Sequence, residues 1–139
     1  MAIRYASAIW QGTLREGSGK MKYGTYEGSF TFASRFEEGE GTNPEELVGA
    51  AHAGCFSMFL SSLLTAAGFK PESIETKATV HLGRVDNAPK ITDIDLLCQA
   101  KVPGITEDAF VKYSEEAKKG CPISKLVTGA QINLKAALV

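Results

Sequence analysis

One stretch of the chain is apolar on every side. Leu47, Val48, Ala50, Ala51, Ala53, Phe56, Met58, Phe59, Leu60, Leu63, Leu64, Ala66 and Ala67 cover all faces of a helix rather than one stripe, a pattern that predicts an element buried all round. Its ends are marked. Asn43 can cap free amides, Pro44 sits where no amide is needed, Glu46 completes a capping box and Gly68 offers a left-handed stop, which bounds the element within Thr42–Phe69. A membrane span is the competing reading, but His52, Ser57, Ser61, Ser62 and Thr65 interrupt the run and no basic anchors flank it. The expectation is a core helix and no membrane.

Elsewhere the period shifts to two. Ala2–Gln11 alternates imperfectly, Arg15–Tyr26 carries turn glycines at Gly17, Gly19 and Gly24, and Gly28–Ala33 puts Phe30 and Phe32 on one strand face, predicting a meander of about three strands. Ser34–Gly41 (SRFEEGEG) is polar and glycine-punctuated and reads as a loop, with Arg35 its only cation. Ile74–Val85 sets Ile74, Thr76, Ala78, Val80 and Leu82 against Glu75, Lys77, Thr79 and His81. After a turn cluster at Asp86–Pro89, Ile91–Val102 returns with Ile94, Leu96, Cys98 and Ala100 on one face, so the pair predicts a long hairpin. Thr106, Glu107 and Asp108 open an amphipathic helix through Ala109, Phe110, Tyr113 and Ala117 that stops at Gly120. Pro122 then starts a short helix (PISKLV), and Ala130–Leu138 is a last strand. The fold class is α+β, as a single domain over residues 1–139. One small sheet covers one face of a helix, so the other faces are expected to pack on a second copy in a symmetric dimer.

Composition narrows the function. With 139 residues, 44% of them hydrophobic, the chain supports one modest core. Fifteen basic against sixteen acidic residues, with no Lys/Arg block, lack the electrostatic footprint of a nucleic-acid binder. The start MAIRYASAIWQ has no apolar run after Arg4, so no export signal is expected and the expected compartment is the cytoplasm. Three cysteines without CxxC or CxxH spacing argue against a disulfide framework and against a zinc site. Cys98 shares a strand face with Leu96 and Ala100 and reads as a small apolar residue. Cys55, beside Ala51 and Gly54, fits tight packing as well as chemistry. Cys121 precedes Pro122 at a helix start, where free amides and the dipole favour a thiolate. Their separation of 66 residues neither forbids nor requires that they meet.

SRFEEGEGTNPEELVGAAHAGCFSM, followed far downstream by CPISKL, resembles the family of osmotically inducible protein C (OsmC) and organic hydroperoxide resistance (Ohr) proteins, most like the OsmC branch. The likeness spans essentially the whole chain. It implies antiparallel sheets wrapped around long central apolar helices in an intertwined homodimer, with active sites at the subunit interface. It also implies a thiol peroxidase for organic hydroperoxides in stress defence, with no bound cofactor and an external dithiol reductant such as a lipoyl group. By position, Cys55 resembles the peroxidatic cysteine, Cys121 the resolving cysteine, Arg35 the activating arginine and Glu45 its carboxylate partner.

The chemistry needs these residue types. A thiolate attacks the O–O bond and becomes a sulfenic acid, so something must hold negative charge on sulfur at neutral pH. Cys55 lies about three turns into its helix, whereas dipole stabilisation fades within the first, so a nearby cation is required. Arg35 is permanently charged and forked, and Glu45 can hold that fork. Ten residues of one helix rise about 15 Å, so Glu45 cannot touch its own Cys55 without a long intermediary, and two arrangements stay open for the Arg35 and Glu45 that serve a given Cys55: the same chain, or the other subunit. Without the resemblance, Arg35 reads as a solvated loop arginine and Glu45 as a first-turn acid. His52, three residues before Cys55, reads either as a base toward the thiol or, more commonly, as a satisfied core or interface histidine, and His81 as a surface residue. Phe56, Met58 and Phe59 are core by default, with some lining a pocket for an apolar peroxide substituent. Two other functions stay open: a redox sensor or binding scaffold switched by a Cys55–Cys121 bridge, and a cysteine hydrolase using Cys55 with His52, which lacks a visible third residue or elbow motif.

Overall fold

A computed structural model describes residues 1–139. In chain order it contains strands β1 (Ala6–Gln11), β2 (Ser18–Tyr23) and β3 (Tyr26–Thr31), helices α1 (Phe32–Phe36) and α2 (Pro44–Ala66), strands β4 (Ser73–Val85) and β5 (Ala88–Lys101), helices α3 (Glu107–Gly120) and α4 (Pro122–Leu126), and strand β6 (Gln131–Leu138). These fall into two compact units, Met1–Leu47 and Val48–Val139.

The first unit is the expected meander, β1 antiparallel to β2 and β2 to β3. Gly19 lies in register with Trp10 on one side and Phe30 on the other, and the two rings meet at 5.2 Å between centroids. A Cβ at Gly19 would stand 2.7 Å from the Phe30 ring, so that close approach requires glycine. The chain departs from expectation at Phe32, which starts α1 instead of continuing the strand. Thr31 caps it: the Ser34 N–H donates to Thr31 Oγ1 at 3.1 Å and the Thr31 N–H donates to Ser34 Oγ at 2.9 Å, a capping box closed by serine. Arg35 therefore sits on a short helix, not in a loop.

The second unit holds the other sheet. Asp86 and Asn87, at φ 50° and 64°, close the β4–β5 hairpin in the left-handed pair that a tight hairpin turn demands. His81 pairs with Asp93 and Leu82 with Ile91, so Thr92 bulges and lets both Ile91 and Ile94 reach the core. Not every pairing is antiparallel: β6 runs parallel to β5, because α3 and α4 carry the chain back along the sheet before it enters β6, and a parallel neighbour needs such a crossover. The core joins Phe56, Leu60 and Leu64 of α2 to Ile94, Leu96, Cys98 and Ala100 of β5 and to Phe110 and Ala117 of α3. Ser57 Oγ and Thr76 Oγ1, 2.7 Å apart, tie α2 to β4.

Both ends of α2 follow the sequence. The Glu46 N–H donates to Asn43 Oδ1 at 2.8 Å, although the Glu46 carboxylate accepts from the Thr42 hydroxyl instead of returning to Asn43, so the capping box is half closed. Gly68 takes φ +91°, and the Phe69 N–H donates to Leu64 O at 2.9 Å. The prediction of burial all round does not hold within one chain. Gly49, His52, Phe56, Leu60 and Leu64 are buried, whereas Ala50, Ala51, Gly54, Met58 and Ser62 are exposed, because the sheet covers one face only. By length and composition α2 could cross a bilayer, but a buried histidine and a face packed on a sheet are features of a core helix.

Candidate active site

The fold brings Cys55 and Cys121 together. Cys55 is partly exposed on α2, and Cys121, fully buried, is the N-cap residue between α3 and α4. Both are free thiols, and their sulfurs stand 2.9 Å apart with the Cys121 S–H donating to Cys55. A disulfide needs about 2.05 Å, so bridging requires less than about 1 Å of further approach. Cys98 is a separate, fully buried core residue, as expected. Gly120 makes room for the junction that carries Cys121: a Cβ there would stand 2.6 and 2.8 Å from Cε1 and Cζ of Phe59.

Cys121 makes no side-chain cap hydrogen bond. Pro122 has no N–H, and the next amide, that of Ile123, donates to the sulfur of Cys55. The amide therefore favours negative charge on Cys55, a residue three turns into its own helix that gains nothing from its own dipole. This gain is outweighed. Burial pushes the Cys55 thiol above its ordinary value, the adjacent Cys121 pushes it the same way, and the Ile123 amide pulls against both. In one chain this sulfur is held as a thiol.

Cys55 opens into an apolar pocket of about 520 Å³ lined by Ala51, Met58, Phe59, Ser62, Pro122 and Ile123. Met58, core by default but one of the residues expected to supply a pocket wall, is 77% exposed and lines this pocket together with Phe59. Phe56 points the other way, into the core.

Arg35 and Glu45 form a bidentate pair in the first unit. Arg35 Nη2 donates to Glu45 Oε1 at 2.7 Å and Nε donates to both carboxylate oxygens at 3.2 Å. Glu45 is buried, and the guanidinium also stands over the Phe36 ring at 5.1 Å. Phe36 packs against Phe32, over which Arg15 lies at 4.6 Å. Arg35 is thus not a freely solvated side chain, and Glu45 does more than complement a dipole: together they are a fork held rigidly by a carboxylate.

His52 is fully buried. Its Nε2 is 2.8 Å from Ser124 Oγ, its Nδ1 is buried with no partner, and burial pulls its pKa down, so it is neutral. Neither ring nitrogen bonds Cys55, which removes the base that a cysteine hydrolase would need. Ser124 escaped the sequence reading; the only available signal is one polar residue three positions past Cys121 on a short helix. His81 is a surface residue, as expected, 2.7 Å from Asp95.

A family model described as OsmC-like protein matches residues 37–136. The chain is 46% identical over 132 residues to peroxiredoxin OsmC of Escherichia coli (strain K12), covering 91% of this chain and 90% of that one. It is 32% identical over 105 residues to an organic hydroperoxide resistance protein-like 1 of Staphylococcus epidermidis, covering 73% and 74%. In fold it is similar to the crystal structure of an OsmC-like protein from Mycoplasma pneumoniae, with a TM-score of 0.78 at 17% identity, over 99% of this chain and 98% of that one.

Proposed function

The chain belongs to the OsmC family, and from that premise we propose that it is a thiol-dependent peroxidase that reduces organic hydroperoxides to alcohols. The observation that carries this reading is the 2.9 Å approach of two free thiols at the foot of an apolar pocket. The difference in exposure supports Cys55 as the attacking and Cys121 as the resolving cysteine: Cys55 faces the pocket, whereas Cys121 is enclosed behind it.

In the reaction the Cys55 thiolate attacks one peroxide oxygen. The O–O bond breaks, the alkoxide leaves and takes a proton to become the alcohol, and Cys55 becomes a sulfenic acid. The Cys121 sulfur then attacks Cys55 and expels water as the disulfide forms. An external dithiol, such as dihydrolipoamide, restores both thiols by exchange and leaves as its own disulfide. No bound cofactor takes part. The apolar walls of Ala51, Met58 and Phe59 suit an organic substituent better than hydrogen peroxide.

Arg35, held by Glu45, supplies the cation that offsets the upward push on Cys55. Glu45 and Cys55 are ten positions apart on one helix, about 15 Å of rise, so the pair serving each Cys55 comes from a second copy in a homodimer. The exposed small and apolar residues Ala50, Ala51, Gly54 and Met58 give that copy a surface to cover.

The decisive assay is consumption of cumene hydroperoxide with dihydrolipoamide, compared with hydrogen peroxide and with Cys55→Ser. Repeated turnover, faster on the organic peroxide and absent from the variant, is expected. A bridge that forms but turns over no faster than free cysteine would replace the enzyme with a redox sensor.

A further inference from the structure

We infer that His52 and Ser124 form a buried strut that positions Cys121 against Cys55 and so sets how fast the two sulfurs join; the inference rests on the peroxidase reading of the same site. Three polar contacts join α4 to α2: the contact between the sulfurs, the Ile123 amide on Cys55 and the bond between His52 Nε2 and Ser124 Oγ at 2.8 Å. The first two end on the sulfur of Cys55, which changes covalent state at every step of the proposed cycle. Only the third leaves that sulfur untouched. It holds when the other two are being broken and remade.

The placement matches the task. His52 is three residues before Cys55 and Ser124 three after Cys121, so each strut residue lies about one turn from the sulfur its helix carries. Both are buried, His52 completely and Ser124 at 5% exposure, so water cannot take over the bond. A helix as short as α4, five residues, has little stability of its own and takes its place from what it is fastened to. Nδ1 has no partner whether or not it carries the proton, so the bond to Ser124 is the one side-chain hydrogen bond the ring makes, with either Nε2–H or the Ser124 hydroxyl as donor. His52 is therefore a positioning residue and takes no proton from Cys55.

The test reads the bridge without peroxide. In a glutathione redox buffer, Ser124→Ala should lower the equilibrium constant for the Cys55–Cys121 disulfide, because the reduced α4 loosens and the local concentration of Cys121 at Cys55 falls; the drop is bounded at about tenfold by the weight of one net hydrogen bond. His52→Ala should lower it at least as far, while His52→Gln, whose amide nitrogen can stand where Nε2 stands, should recover most of the loss. After one equivalent of cumene hydroperoxide, Ser124→Ala should form sulfenic acid at the native rate but keep it longer, seen as greater capture by dimedone. An unchanged constant in Ser124→Ala overturns the strut, as does a His52→Gln variant no better than His52→Ala. If the native protein forms the bridge in glutathione but consumes no peroxide, the peroxidase reading falls and the strut stands. If the native protein forms no bridge in glutathione, the strut falls.

Discussion

Gly120 offers a substitution in which two effects of known size oppose each other. As the last residue of α3, glycine there costs helix stability, and Gly120→Ala should regain about 0.5–1 kcal/mol on that account. The new Cβ, however, would stand 2.6 Å from Phe59 Cε1 and 2.8 Å from Cζ, roughly 1 Å inside ordinary carbon contact at 3.5–4.0 Å. Phe59 packs against the core on one side and lines the pocket on the other, so its ring can yield in part and the overlap should cost about 1–3 kcal/mol. The clash wins by up to about 2.5 kcal/mol. With an unfolding entropy of about 2.1 cal/mol/K per residue, that net loss lowers Tm by up to about 9 °C. The assay is urea unfolding and thermal melting of Gly120→Ala, Phe59→Leu and the double variant, at one protein concentration because association shifts apparent stability. Leucine lacks the clashing ring atoms, so alanine at 120 should be neutral or stabilising in the Phe59→Leu background. A Gly120→Ala protein as stable as the native one, or an equal loss in both backgrounds, would refute the contact as the reason for glycine.

Arg35→Ala should slow alkylation of Cys55 at neutral pH, with Arg35→Lys rescuing only part because it loses the fork; equal alkylation rates would remove Arg35 from the site. Cys121→Ser should complete a first peroxide turnover and then accumulate sulfinic acid on Cys55, Cys55→Ser should not react, and Cys98 should stay reduced; a mapped Cys55–Cys98 bridge would overturn the pairing. Met58→Glu, on the exposed stripe, should fold but shift light scattering toward monomer, whereas a charge at Leu60 or Leu64 enters the chain's own core and tests folding alone; a Met58→Glu protein of native size would remove that stripe from the interface. His52 is held neutral, its pKa lowered by burial, so the unfolded chain binds the extra proton: this contribution is complete above the unfolded value near 6.5 and is lost as pH falls below it. Urea midpoints from pH 7.5 to 5 should fall less steeply in His52→Gln than in the native protein, and identical slopes would contradict the assignment.

The elements that carry periodicity or caps were readable from the sequence. Asn43, Pro44 and Gly68 bound α2, and the alternation from Ile74 to Ala100 gives the hairpin with its inward face. Alternation says nothing about direction, however, so the parallel pairing of β6 was not readable from Ile132, Leu134 and Ala136. A five-residue helix has no period, and α1 is signalled only by Thr31 and Ser34, two residues equally at home in a loop. The apolar run in α2 told correctly that one sheet could not cover the helix, but not which face the sheet would take, because apolar residues on all sides erase the phase. Arg35, Glu45 and the two cysteines stood out through resemblance to a family. The donor to Cys55 did not, since it is a backbone amide and leaves no letter in the sequence beyond the proline before it.

The balance of forces on Cys55 ties chemistry to assembly. Within one chain the Ile123 amide pulls the pKa of this sulfur down, set against burial and a neighbouring thiol that both raise it. A backbone amide offers a partial charge, whereas a guanidinium offers a full one, already desolvated on one side by Glu45 and Phe36 and so better able to act at close range. If that guanidinium arrives with a second copy, an unassembled chain carries a resting thiol and the thiolate exists only in the dimer. The same packing that covers Met58 and Ala51 would then switch on the nucleophile beside them. A reactive thiolate exposed on a free monomer invites irreversible oxidation, so coupling activation to assembly would hold the sulfur as a thiol, beside the Cys121 and the pocket that its own chain already supplies, until the cation arrives.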